Sequence, residues 1–127
     1  MKSMRFVAKA IFFVLLSAGA FLKATDTPTL AVKGYVLDSA CAFTKGLSKP
    51  ISKECASSCA KAGSPLVILS DDGTIYWPIA DTTPSSGQNR RLLLFAADKV
   101  TATGKIYERG GSKAMVIEKI EPQASQK

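Results

Sequence analysis

The chain predicts a mainly β fold: a five-stranded OB-like Greek-key barrel with a helix inserted between strands 1 and 2 and a short helix between strands 3 and 4. Three observations lead there. Five apolar segments have strand composition, two pairs of them are joined by glycine turns too short for anything but antiparallel hairpins, and helical periodicity falls only in the two remaining gaps. That order of strand, helix, two strands, helix, two strands is the layout of a small Greek-key barrel.

The first strand is "LAVKGYVLD", Leu30 to Asp38, with Leu30, Val32 and Val36 on one side and Gly34 where the backbone bends or packs closely. From Ser48 to Gly63 the period becomes helical: Ile51, Cys55, Cys59 and Ala62 share a face, Ser48 can cap, Pro50 suits an early position, and Gly63 with Pro65 ends it. "PLVIL" and "TIYWPI" flank "SDDG", an Asp-Gly hairpin signal, and Pro78 places the end of the third strand at an edge or bulge. "DTTPSSGQN" reads as a loop, and "RRLLLFAADK" as a short apolar helix that Asn89 caps. "KVTATGKIYE" and "SKAMVIEKIE", joined through Arg109-Gly110-Gly111, complete the set as a second hairpin.

The ends carry different information. "MKSMRFVAKAIFFVLLSAGA" has a basic start, an unbroken apolar run from Ala10 to Leu16 and small residues at 18–20, the organisation of a secretory signal peptide. The run falls short of the roughly 20 apolar residues a spanning helix needs, so no stable membrane span is expected after processing. The expected division is 1–20 signal peptide, 21–29 flexible leader, 30–121 barrel domain and 122–127 loose tail, with periplasmic or secreted localisation. Losing Lys2, Arg5 and Lys9 lowers the formal charge from +7 to +4, and the remaining cations are scattered as solvating residues are.

"GYVLDSAC", "KECASSCAKAGSPLVIL" and "LLLFAADKVTATGKIYERGGSKAMVIEKIE" resemble a group of small exported bacterial OB-fold-like proteins of uncharacterised function. That group has a Gly-x-Val-x-Asp-Ser-x-Cys start, a Cys-x-x-x-Cys helix and a late Val-x-Val-x-Gly strand. The likeness runs from Gly34 to Ile120 and matches Asp38, Cys41, Cys55, Cys59, Gly63 and Gly104. Many members carry a histidine between the first two cysteines, where this chain has "AFTKGLSKPISKE". A metal role implied by the resemblance loses that ligand here.

All three cysteines lie between residues 41 and 59. In an oxidising compartment neighbouring thiols pair, and a bond from Cys41 to Cys55 or to Cys59 would fasten the inserted helix to the barrel. A loop of about 15 residues is worth roughly 3 kcal/mol in the chain-entropy account. The third thiol would be buried or would bond a partner chain. A bond between Cys55 and Cys59 strains the helical turn. The competing reading is a thiolate metal or redox site from Cys41, Cys55 and Cys59, with Asp38 or water as fourth ligand and zinc or copper as the metal. Without histidine, Ser-His-Asp and Cys-His catalysis is excluded. Asp71 and Asp72 are explained by the turn. The expectation is therefore a non-enzymatic binding or structural domain, with no cofactor and no catalytic residue. Its partner would be a small ligand or an envelope or extracellular protein, export arguing against nucleic acid. Residues 39–64 and 108–113 are the loops that would frame the ligand.

Overall fold

The computed structural model describes residues 26–46 and 52–124. The segment expected to be a signal peptide, most of the expected leader, Ser48, Pro50 and Ile51, and residues 125–127 lie outside them. Five strands close into a barrel in the order β1-β2-β3-β5-β4, comprising β1 (Thr29–Asp38), β2 (Leu66–Ser70), β3 (Ile75–Pro78), β4 (Lys99–Arg109) and β5 (Ser112–Pro122). The helices are α1 (Ser39–Thr44), α2 (Lys53–Lys61) and α3 (Asn89–Leu92), the last running into a 3-10 turn at Leu93–Phe95. This is the OB-like barrel the sequence predicts, with helices in both expected gaps.

β1 is shared between two neighbours. Residues 29–35 pair with β4 and residues 34–38 with β2, so Gly34 faces Val100 on one side and Ser70 on the other. A Cβ at Gly34 would run into the Leu69 carbonyl oxygen. Glycine is what allows the strand to turn from one partner to the next at this depth. Gly104 plays the matching part on β4, where a Cβ would meet the Val116 carbonyl oxygen beside a register shift in the β4–β5 ladder. Glu118 is the extra residue of that bulge, and the Arg91 guanidinium donates to the Ile117 (2.5 Å) and Glu118 (3.1 Å) carbonyls around it. The parallel β3–β5 pairing, Tyr76 to Lys113 through Pro78 to Met115, closes the barrel.

Side-chain alternation sorts the core into two parts. Val32, Val36, Ile68, Val100, Met115 and others fill the interior, with Ala60 of α2 and Leu92 of α3 entering from the helices. β2 is buried along its whole length, because Val67 and Leu69 point outward into a second cluster with Leu37, Ala42, Tyr35, Ile75 and Trp77. Ala42 belongs to α1, so this helix lies over the outer face of β1 and β2. Each of Leu37, Val67 and Leu69 gains about 1.5–3 kcal/mol from being covered, which explains an uninterrupted apolar run in a strand of a small barrel.

Two expectations are corrected. The inserted segment holds two helices: α2 begins at Lys53, its cap being Ser52, whose hydroxyl accepts from Cys55 N (3.1 Å). Asn89 does not cap α3, which starts after Gln88 without a side-chain cap. Its amide instead accepts from Leu66 N (2.8 Å) and donates to the Ser64 (2.7 Å) and Ala60 (3.2 Å) carbonyls, joining the end of α2 to the start of β2. No helix among the described residues is long and apolar enough to cross a membrane.

Candidate functional site

Asp38 organises the insertion. It ends β1, is 3% exposed, and caps α1 by accepting from Cys41 N (3.0 Å) with Oδ1, while Oδ2 accepts from the Ser64 hydroxyl beyond α2. Burial pushes this carboxyl up, but the donors outweigh it: Ser64, then the Cys41 amide and thiol and the Ala40 amide, leave it below the ordinary aspartate value. Ser39 N adds a bond to the Pro65 carbonyl (2.9 Å). α1 is thus tied at its start to the segment that follows α2.

The three cysteines expected to converge lie around this anchor as free thiols, one pair of them 4.4 Å apart, and no disulfide is formed. Cys55 is exposed, whereas Cys41 and Cys59 are half-buried. Burial raises the Cys41 thiol, with Asp38 adding to the effect and Lys45 opposing it. Burial likewise raises Cys59, reinforced by Cys55 and Asp38. Both shifts run opposite to the lowering that activates a thiol for nucleophilic attack. Among the described residues no group of three or more cysteine, aspartate or glutamate side chains is arranged to hold a metal ion. Asp38, the proposed fourth ligand, already has both oxygens engaged within the protein.

α1 also carries Phe43, 65% exposed. Its ring lies 6.2 Å from that of Trp77 at 37°. Between them and the glycine turns opens a groove of about 450 Å³ lined by Phe43, Ile75 and Trp77 on one side and Gly111, Ser112 and Lys113 on the other. The insertion after β1 and the β4–β5 turn therefore meet at one concavity. A second cleft of about 280 Å³, bounded by Pro65, Pro78 and Gln88, also has Trp77 in its wall. Trp77, the only tryptophan of the chain, thus lines both.

Tyr35, Tyr76, Trp77 and Tyr107 lie on β1, β3 and β4 and face different ways. Tyr76 packs on the interior, Tyr35 and Trp77 on the outer cluster, and Tyr107 is exposed. Phe43 was missed, and with it α1. The Asp38-Ser39 step after an apolar strand is the capping signal that identifies that helix.

Fold and site together define a five-stranded OB-like barrel whose outer β1–β2 face is roofed by its own helix. No protein-family model, curated protein or solved structure matches the chain.

Proposed function

We propose that this is an exported, non-enzymatic OB-like domain that binds a ligand in the groove between α1 and the β4–β5 turn, the cysteine-bearing insertion being fastened to the barrel by a thiol crosslink. The observation that carries the reading is the convergence of Phe43, Trp77 and Gly111–Lys113, from three separate segments, on one concavity. Ligand sites concentrate where loops of a rigid scaffold frame an aromatic-walled cleft.

The carboxylates support a binding rather than a catalytic role. Asp71 and Asp98 sit in ion pairs with Lys99 and Lys53, Asp72 closes the β2–β3 turn, and Asp38 caps α1. The crosslink is supported by the tether it would add to a helix of six residues. In an oxidising compartment Cys41 and one cysteine of α2 would lose two protons and two electrons to a disulfide-exchange partner. The thiolate metal or redox alternative has less support, because both oxygens of Asp38 are already engaged by Cys41 N and the Ser64 hydroxyl.

The test is NMR of ¹⁵N-labelled protein against a fragment library of monosaccharides, aromatic amines and dipeptides. Shifts should gather on the Trp77 indole N–H, Phe43 and Gly111, and Phe43→Ala should abolish them. Fragments that scatter over the barrel, or gather away from Trp77, would overturn the reading.

A further inference from the structure

Apart from the Trp77 groove, we propose a second binding site: the unpaired edge of the first half of β1, which takes up an extended acidic-apolar peptide as an added antiparallel strand. The register defines the edge. β1 pairs with β4 from Thr29 to Tyr35, but with β2 from Gly34 to Asp38. Along a strand the N–H and C=O of one residue point to one side and those of the next to the other. The Pro28 carbonyl accepts from Ile106 N of β4 (3.0 Å), and Val36 N donates to the Asp98 carbonyl (3.1 Å) beside it, so the even-numbered residues face β4. Thr29, Ala31 and Lys33 face the other way. The Lys33 carbonyl accepts from Asp71 N (3.2 Å), and the β2–β3 turn then carries the chain away. Among the described residues nothing pairs with the N–H and C=O of Thr29 and Ala31.

A trough of about 310 Å³ runs beside this edge, with Leu30, Ala31 and Val32 on one bank and Ser70, Asp72 and Tyr76 on the other. A strand laid in it continues the line of β2 and bonds to Thr29 and Ala31, the way extended peptides add to an open sheet edge. Its side chains alternate in step with those of β1. Val32 is buried and Leu30 half exposed on the inner row, so the side chains level with them are apolar. Ala31 and Lys33 are exposed on the outer row, and Lys105 lies opposite Thr29 one strand further on. All ten carboxylate side chains of the chain fall within the described residues, and none forms an ion pair with Lys33 or Lys105. The two beside the trough are engaged already, Asp71 by Lys99 (3.1 Å) and Asp72 by the Ser70 hydroxyl and Thr74 N. Ammonium groups are thus what the outer row offers a newcomer, and its outward side chains are acidic. The same lysines repel a second copy pairing edge to edge, so the occupant is a different chain.

The probes are capped hexapeptides that alternate valine with glutamate or valine with lysine, and the glutamate peptide N-methylated at its glutamates. Titration of ¹⁵N-labelled protein should move the amides of Thr29, Ala31 and Lys33 and slow hydrogen exchange at Ala31. The glutamate peptide should bind about threefold to tenfold more tightly than the lysine peptide. Its outward residues sit opposite Thr29 and Ala31, so their amides face β1; methylating them should abolish binding up to about 10 mM. Ala31→Pro removes the edge donor without touching the β4 ladder, and should weaken the glutamate peptide by at least about tenfold with circular dichroism unchanged. Should that proline disturb β1, Lys33→Glu leaves the backbone intact and decides: it should weaken the glutamate peptide and strengthen the lysine peptide.

No binding of the glutamate peptide, equal binding of its N-methylated form, shifts that gather away from residues 29–33, or affinities unmoved by Lys33→Glu overturn the proposal. A concentration-dependent dimer that Ala31→Pro dissolves would give the edge to a second copy, and an Ala31 N–H protected from exchange in the free protein would give it to the chain itself; either overturns it too. The β2–β3 turn divides the trough from the Trp77 groove, Asp71 and Asp72 walling the one and Gly73 and Thr74 the other. The fragment experiment reads Phe43, Trp77 and Gly111, so the two sites stand or fall separately.

Discussion

Replacing Asp38 with alanine removes one side chain that holds two pieces of the molecule. Loss of the α1 cap costs about 1 kcal/mol, and loss of the Ser64 hydroxyl's bond to a charged acceptor costs about 1.5–3 kcal/mol. The two sites share one carboxyl, so the total is expected near 2–4 kcal/mol, or roughly 10–20 °C in Tm for a domain of this size. Urea unfolding followed by Trp77 fluorescence measures it, and the indole also reports whether Phe43 stays in place. Asp38→Asn is the informative partner, because asparagine caps as well as aspartate but carries no charge; it should lose about 1 kcal/mol at pH 7. The pH dependence fixes the sign. The Asp38 carboxyl is held below its ordinary value in the folded protein, so its contribution is full above about pH 4 and disappears as pH falls through the lower folded value. Wild type and Asp38→Asn should therefore converge in strong acid. An Asp38→Ala cost under about 0.5 kcal/mol, or stability curves that stay parallel from pH 5 to pH 2, would refute the anchoring role.

Other outcomes follow from the same geometry. Gly34→Ala and Gly104→Ala should each destabilise by at least about 2 kcal/mol or prevent folding, because the added methyl meets backbone rather than a movable side chain; circular dichroism in urea decides. Asn89→Asp keeps the acceptor for Leu66 N but sets a carboxylate against the Ala60 and Ser64 carbonyls, so its stability should rise on acidification toward pH 4, opposite to the Asp38 trend. In the reduced native protein, iodoacetamide labelling read by peptide mass spectrometry should modify exposed Cys55 first, with Cys41 and Cys59 slower because both thiols are raised and half-buried. Labelling of Cys41 as fast as Cys55 would contradict that placement.

What could be read from the residues was what is decided locally. Gly73, Gly110 and Gly111 adopt positive φ in the two hairpins, and both turns were evident because glycine tolerates that conformation. Gly34 was legible as a bend for a related reason, though not the backbone it approaches. "PLVIL" read as a strand, but an apolar run does not disclose what covers its second face. α1 escaped because six residues show no helical period, and its capping aspartate read as the end of the first strand and as a candidate ligand in the competing metal reading. Asn89 misled in the same way: its local position suits a cap, while its actual partners lie 23 to 29 residues away.

The short stretch from Asp38 to Phe43 couples the thiols to the groove. A helix of six residues has no stability of its own in water, so the position of Phe43 depends on what holds α1: the Asp38 cap, the burial of Ala42 on β1 and β2, and whatever is bonded to Cys41. A crosslink from Cys41 to α2 would add a covalent tether two residues from the ring that faces Trp77. It would restrict α1 before a ligand arrives, lowering the ordering cost that binding otherwise meets. Reduced protein should then bind the same probe more weakly than oxidised protein, and the difference should vanish in Cys41→Ser. A redox effect that persists in Cys41→Ser would mean the thiols act elsewhere than through α1.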